Sequence, residues 1–186
     1  MALSIMKVPF NLPHIGEEEI SNIRKAHALG QLSGDGYFTK ACTSWIEKKL
    51  KAKKVLLTHS CTAALEMMAI LANLGKGDEI IMPSFTFAST ANAFVLRGAT
   101  PVFVDIRADT LNINGKLIEN AVTQKTKAIV AVHYAGITCE MDEIRKIAKK
   151  YNLLVFEDAA QSFLGKATWC ALKLPVAPPN LAVKGM

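Results

Sequence analysis

Five short segments carry side chains whose types and spacing could do chemistry: His59-Ser60-Cys61-Thr62, Pro83-Ser84-Phe85-Thr86-Phe87, Asp105, His133-Tyr134 and Asp158 to Gln161. Each follows an apolar run, and in an open parallel sheet ligands sit beyond the carboxyl ends of the strands. Ser60-Cys61-Thr62-Ala63-Ala64-Leu65 joins a strand to a helix. The free N–H groups and positive dipole end of such a helix start suit a phosphate. Plain capping by Ser60 or Thr62 explains the same residues. Glu157-Asp158 ends the run Leu153-Leu154-Val155-Phe156. A magnesium-binding aspartate there would need a G-x-x-x-x-G-K-[ST] partner, and the chain has none. Two readings of Asp158 remain: a carboxylate holding the protonated ring nitrogen of a cofactor, or a solvated acid at a strand end.

The other candidates are weaker taken singly. His133, beside Tyr134, could orient a substrate or shuttle a proton, but a packed, hydrogen-bonded ring is the favoured reading. Phe87 could present its face to a flat aromatic cofactor or be ordinary core. Asp105 and Asp109 read as turn formers, and His27 reads as structural. The four cysteines, Cys42, Cys61, Cys139 and Cys170, form no C-x-x-C pair and suggest neither a zinc site nor a disulfide framework.

These residues need a frame, and the hydrophobic pattern supplies one. Five short runs suit strands buried on both faces: Val55 to Thr58, Glu79 to Met82, Pro101 to Val104, Ala128 to Val132 and Leu153 to Glu157. Between them lie helical patterns at Cys61 to Asn73 (apolar on nearly all sides), Thr86 to Arg97, around Leu117 to Val122, and Glu140 to Lys150. Two more precede the first strand, Glu17 to Leu29 and Phe38 to Leu50. Strands alternating with helices predict an α/β fold, a mostly parallel sheet with helices on both faces.

Composition narrows the class. The 186 residues are 51% hydrophobic and 20% charged, which excludes a disordered chain. No apolar run reaches the ~18 residues of a membrane helix and no signal-peptide core is present, so the expectation is a cytoplasmic protein without a membrane partner. The net charge of +6 concentrates at Lys48, Lys49, Lys51, Lys53 and Lys54. No aromatics interleave those lysines, so nucleic-acid binding is disfavoured. A generic Rossmann nucleotide binder is disfavoured too, because G-x-G-x-x-G is missing.

Taken in order, these segments resemble one family. Gly34-Asp-Gly, Ser60-Cys-Thr-Ala-Ala-Leu, Gly77-Asp-Glu-Ile-Ile-Met-Pro-Ser, Phe85-Thr-Phe-Ala-Ser-Thr-Ala-Asn, Val132-His-Tyr-Ala-Gly and Glu157-Asp-Ala-Ala-Gln are similar to motifs of the DegT/DnrJ/EryC1/StrS sugar aminotransferases. The resemblance implies residues 1–163 as the N-terminal part of the large domain of a fold-type I aminotransferase using pyridoxal 5′-phosphate. Cys61 and Thr62 then match positions that help hold the cofactor phosphate, Phe87 the ring stacked on the pyridine, Asp158 the partner of its nitrogen, and Gln161 the neighbour of its hydroxyl. His133 and Tyr134 match a motif near the pocket. The implied substrates are a dTDP-4-keto-6-deoxyhexose and glutamate, and the implied assembly is a homodimer.

The sequence also departs from the family. The Schiff-base lysine lies in a downstream Ser-Phe-His-x-x-Lys-Asn-like motif, and no such string occurs here. Lys166, Lys173 and Lys184 lack its surroundings. Residues 164–186, with Pro175, Pro178 and Pro179 and no acidic residue, read as an irregular non-family tail, as out-of-frame or foreign coding sequence would. The expectation is a sugar-nucleotide aminotransferase cut short before its lysine and inactive alone. The alternative is a non-catalytic fragment that binds the cofactor or a sugar nucleotide.

Overall fold

The computed structural model describes Pro9 and residues 12–162, 171–172 and 181–185. The chain divides into two compact units, Met1–Cys42 and Thr43–Met186. In the first, helix α1 (Glu17–Ala28) carries three glutamates in its opening turn and Lys25 and His27 in its last, the order its dipole favours. Gly16 caps it, its N–H donating to Glu19 Oε2 at 2.7 Å. None of the residues of α1 is buried, so His27, expected to be structural, is exposed.

The second unit begins within α2 (Tyr37–Leu50), whose Ile46 packs on Val55 in a small satellite core. It continues with β1 (Lys54–Thr58), α3 (Cys61–Leu71), β2 (Glu79–Pro83), α4 (Ala88–Val95), β3 (Thr100–Val104), α5 (Gly115–Ile118), β4 (Thr126–Val132), α6 (Met141–Tyr151) and β5 (Leu154–Asp158). The sheet order β3-β2-β4-β5 is parallel throughout. The chain steps outward from β2 to β3, then returns to β4 on the other side of β2. That reversal between β2 and β4 is a topological switch point, where a crevice opens beyond the strand ends.

Side-chain alternation divides the core between the two faces. Ala128, Val130 and Val132 of β4 join Phe156 of β5 beneath α3 and α4, where the Phe94 and Phe156 rings pack 5.5 Å apart. Ile129 and Ala131 of β4 join Val155 of β5 on the opposite face, beneath α6 with its buried Met141, Ile144 and Ile147. The helices therefore lie on both faces, as the pattern predicts. Two glycine-like positions end helices. Gly98 follows α4 at φ +84°, and a Cβ there would stand 3.4 Å from the Lys76 backbone nitrogen. Asn152 closes α6 in the left-handed region at φ 55°.

Two expectations need correction. Helix α3 is not apolar-buried all round: Ala64, Leu65, Met68 and Ala69 face the core, whereas Ile70 and Leu71 are exposed. An amphipathic helix on one sheet face has only one stripe to bury. The tail is not wholly irregular, since Ala171–Leu172 (β6) and Leu181–Gly185 (β7) are strands. β7 pairs in parallel with all five residues of β1 and antiparallel with β6, and β6 lies alongside β5. A free strand edge offers a row of unpaired backbone groups that any extended segment can satisfy. Pro175, Pro178 and Pro179 fall between the two strands, outside the described residues.

Because Phe156 is fully buried against Phe94, Phe156→Ala is expected to cost about 3–5 kcal/mol of unfolding free energy. Urea denaturation should show a lower midpoint with an unchanged slope.

Candidate active site

At the switch point a small solvent-open cleft is lined by Thr86, Phe87, Val132, His133, Tyr134, Asp158, Ala160 and Gln161. These residues follow the carboxyl ends of β2, β4 and β5, the location the parallel-sheet rule selects. Five of the seven residues expected at the site (Phe87, His133, Tyr134, Asp158 and Gln161) share this lining. Cys61 reaches it indirectly, through a contact with Asp158. Thr62, in the first turn of α3, is not among the lining residues.

Asp158 is buried at 6% exposure, so it is not a solvated strand-end acid. Being two residues beyond Phe156, it projects to the α3/α4 side. Its Oδ2 accepts from Thr90 Oγ1 of α4 at 2.7 Å. Its Oδ1 accepts from Cys61 Sγ at 3.6 Å and from the Ala160 N–H at 3.2 Å. A carboxylate offers about four acceptor sites; among the described residues three donors occupy them, which leaves capacity for one further donor entering from the cleft.

The neighbouring Glu157 projects to the opposite face and makes a separate network. Its Oε2 meets His133 Nε2 at 3.2 Å and its Oε1 accepts from Arg145 Nη2 at 3.4 Å. His133 Nδ1 accepts the Cys139 N–H at 3.1 Å, so in the neutral ring the proton sits on Nε2 and is donated to Glu157. Both ring nitrogens are thus committed within the protein. The packed reading of His133 is the one observed, and its backbone N–H also ties β4 to Asp158 O at 3.0 Å.

Tyr134 and Gln161 belong to a braced loop. Ala135 (φ 50°) and Gly136 (φ 83°) turn the chain after β4, and Gln161 Oε1 accepts the Ala135 N–H at 2.7 Å. Asn112, 2% exposed, spans the loop: its Oδ1 accepts from Tyr134 N at 3.0 Å and its Nδ2 donates to Ile137 O at 2.9 Å. The Tyr134 ring leans on Phe85 at 4.8 Å. Phe87, the N-cap residue of α4, is 78% exposed and is not core. Its ring is available to stack against something flat. At the start of α3 Ser60 is an ordinary cap, its Oγ accepting the Ala63 N–H at 3.1 Å.

Sequence reasoning missed Thr90, Asn112 and Arg145. Thr90 could have been found, because it lies four residues after Thr86, one helical turn on. Asn112 and Arg145 carry no local signal. Asp105 and Asp109 behave as read: Asp105 Oδ1 accepts the Ile106 N–H, and Asp109 pairs with Arg107. Among the described residues no cluster of three His, Cys, Asp or Glu could hold a metal, and no helix is long and apolar enough to cross a membrane.

A buried carboxylate with one open acceptor site, an exposed ring and a cleft between them fit a flat heteroaromatic cofactor with a protonated nitrogen. The chain belongs to the DegT/DnrJ/EryC1/StrS aminotransferase family, whose sequence model matches residues 13–169. The Bacillus subtilis spore coat polysaccharide biosynthesis protein SpsC is 42% identical over 158 residues, 83% of this chain and 40% of SpsC. Among solved structures, NtdA from B. subtilis with bound cofactor PMP is 35% identical at a TM-score of 0.78, covering 88% of this chain and 38% of NtdA. The PLP form of the sugar aminotransferase Spr1654 from Streptococcus pneumoniae is 32% identical at 0.74, covering 84% of this chain and 44% of that one. The chain therefore spans about two-fifths of the length of these relatives.

Burial, reinforced by the charge of Glu157, pushes the Cys139 thiol up to about 12. In the unfolded chain it ionises near 9.0. The stability gained by keeping it neutral is therefore whole below pH 9.0 and lost as pH rises toward about 12. Iodoacetamide at pH 8.5 should label exposed Cys42 and spare Cys139 until the chain unfolds.

Proposed function

We propose that this chain forms the ring-binding part of a pyridoxal-phosphate-dependent aminotransferase acting on a nucleotide-linked keto sugar. The single observation behind this reading is Asp158, buried at the mouth of the switch-point crevice with one acceptor site unused and the exposed Phe87 ring beside the same cleft. When bound, the cofactor supplies an electron sink for the carbon that loses or gains the amino group. The chain's own residues bind and orient it. Asp158 would accept the ring N–H and hold that proton; Phe87 would cover a ring face; Gln161, anchored on Ala135, would stand near the ring hydroxyl; and the first turn of α3, with Cys61 and Thr62, would offer its N–H groups to the phosphate.

We infer the substrate class from the motifs, which resemble those of dTDP-4-amino-4,6-dideoxygalactose transaminase, an enzyme of enterobacterial common antigen synthesis. A dTDP-4-keto-6-deoxyhexose is accordingly the acceptor and glutamate the amino donor, in a cytoplasmic homodimer. SpsC, named for polysaccharide biosynthesis, supports the broader class.

A second reading concerns the 186-residue chain taken alone. Lys166, Lys173 and Lys184 lack the surroundings of the family's Schiff-base lysine, and on that ground we infer a fragment that binds the cofactor non-covalently. Two measurements test the pair. Pyridoxamine 5′-phosphate, which has no aldehyde, should bind with fluorescence quenching, and Asp158→Ala should weaken binding at least tenfold. No quenching by the wild-type chain would sink the first reading. Borohydride reduction after pyridoxal 5′-phosphate, followed by peptide mass spectrometry, should give only scattered, substoichiometric adducts. One lysine modified at full yield would sink the second.

A further inference from the structure

Asp158 is useful only if its carboxylate is held in one orientation, and the strongest contact holding it comes from a residue with no other evident task. Thr90 is fully buried on the inner face of α4, one turn in from the cleft. Its Oγ1 lies 2.7 Å from Asp158 Oδ2 and 2.8 Å from Thr86 Oγ1. Thr86 in turn lines the cleft. A hydroxyl has one proton to give and two lone pairs, whereas a carboxylate can only accept. The chain of contacts therefore runs one way: Thr90 donates to Asp158, Thr86 donates to Thr90, and Thr86 Oγ1 keeps only lone pairs.

We propose that Thr90 is a positioning residue that locks Asp158 for its ring-nitrogen partner, and that Thr86 sets the direction of the hydroxyl chain by donating into Thr90. The proposal rests on the functional reading above. With its single proton committed to the acid, Thr90 holds Oδ2 in place, and Cys61 and Ala160 hold Oδ1. Without Thr90 one oxygen loses its only protein donor among the described residues, and the carboxylate rotates about its last side-chain bond. Thr86, as an acceptor only, can be met from the cleft by an N–H or O–H donor but not by another lone pair.

The test uses the full chain with pyridoxamine 5′-phosphate as probe. Thr90→Val keeps the β-branch and removes the hydroxyl; Thr90→Ser keeps the hydroxyl and loses a methyl. The affinity should fall at least tenfold for Thr90→Val and stay within threefold of wild type for Thr90→Ser. A merely structural role would weaken both alike, or neither, and either result overturns the proposal. Should Thr90→Val fail to fold, Thr90→Cys replaces it: matched in size to serine but a poor donor, it should bind the probe at least fivefold more weakly than Thr90→Ser. A double-mutant cycle of Thr90→Val (or Thr90→Cys) with Asp158→Asn, read in unfolding equilibrium constants, should show at least fivefold coupling. If the wild-type chain binds no probe, the functional reading fails and the cycle alone decides. Additive effects then overturn the lock of Thr90 on Asp158, and coupling upholds that lock while the ring-nitrogen partner falls with the functional reading.

Discussion

The rest of the site depends on the alternation of side chains at the end of β5. Phe156, Glu157 and Asp158 leave the sheet on successive opposite faces, so two adjacent acids enter two unrelated environments. Glu157 goes to the α6 side, where the Arg145 guanidinium pairs with one carboxylate oxygen and the His133 ring with the other. Asp158 goes to the α3/α4 side, where hydroxyl, thiol and amide donors receive it without a cation. A buried carboxylate held by neutral donors keeps capacity for a charged partner from outside, whereas one already paired with a guanidinium has little to offer. A register slip of one residue would exchange the two acids and abolish that division.

Packing around the pair makes such a slip costly. β4 and β5 are in register over five residues, Ala128 to Val132 against Leu154 to Asp158. Both faces of this pair are buried, so moving either strand would bring polar ends into apolar layers. The backbone bond from His133 N to Asp158 O extends the ladder one step past β4, into the loop that carries Tyr134. Asn112 then spans that loop with both ends of its amide. The site is accordingly built on rigid strands and a braced turn rather than on a free loop, which suits a site that must hold a planar ring within a fraction of an ångström.

The cleft wall contributed by α4 is of a different kind. Phe87 stands outside the helix proper as its N-cap residue, exposed, while Thr90 one turn later is fully enclosed. The same short helix thus presents an open aromatic face to the cleft and a concealed hydroxyl to the acid. The spacing of three residues places them on neighbouring parts of one helical surface, at different depths. Likewise at α3, Ser60 is spent on capping while Cys61 turns to Asp158. Local backbone economy and the site draw on adjacent residues without competing.

Much of this was legible in the residues alone. Five apolar runs and all but one of the helical patterns between them lie within two residues of an observed element, because burial on both faces leaves a near-continuous apolar signal and helices between such strands follow a 3.6-residue period. The candidates at the strand ends were legible for the same reason: in a parallel sheet, sequence position relative to a strand already says which edge a residue occupies. Tertiary structure alone decided what each candidate touches. It sent His133 to Glu157 and Cys139, tied Thr90 to Asp158, brought Asn112 and Arg145 to a site that no local motif connects them with, left Thr62 off the cleft wall, and drew Leu181–Gly185 of a proline-bearing tail onto the open edge of β1. Pairings between residues distant in the chain depend on how layers stack and which edges stay open, and a local pattern of residue types carries no record of either.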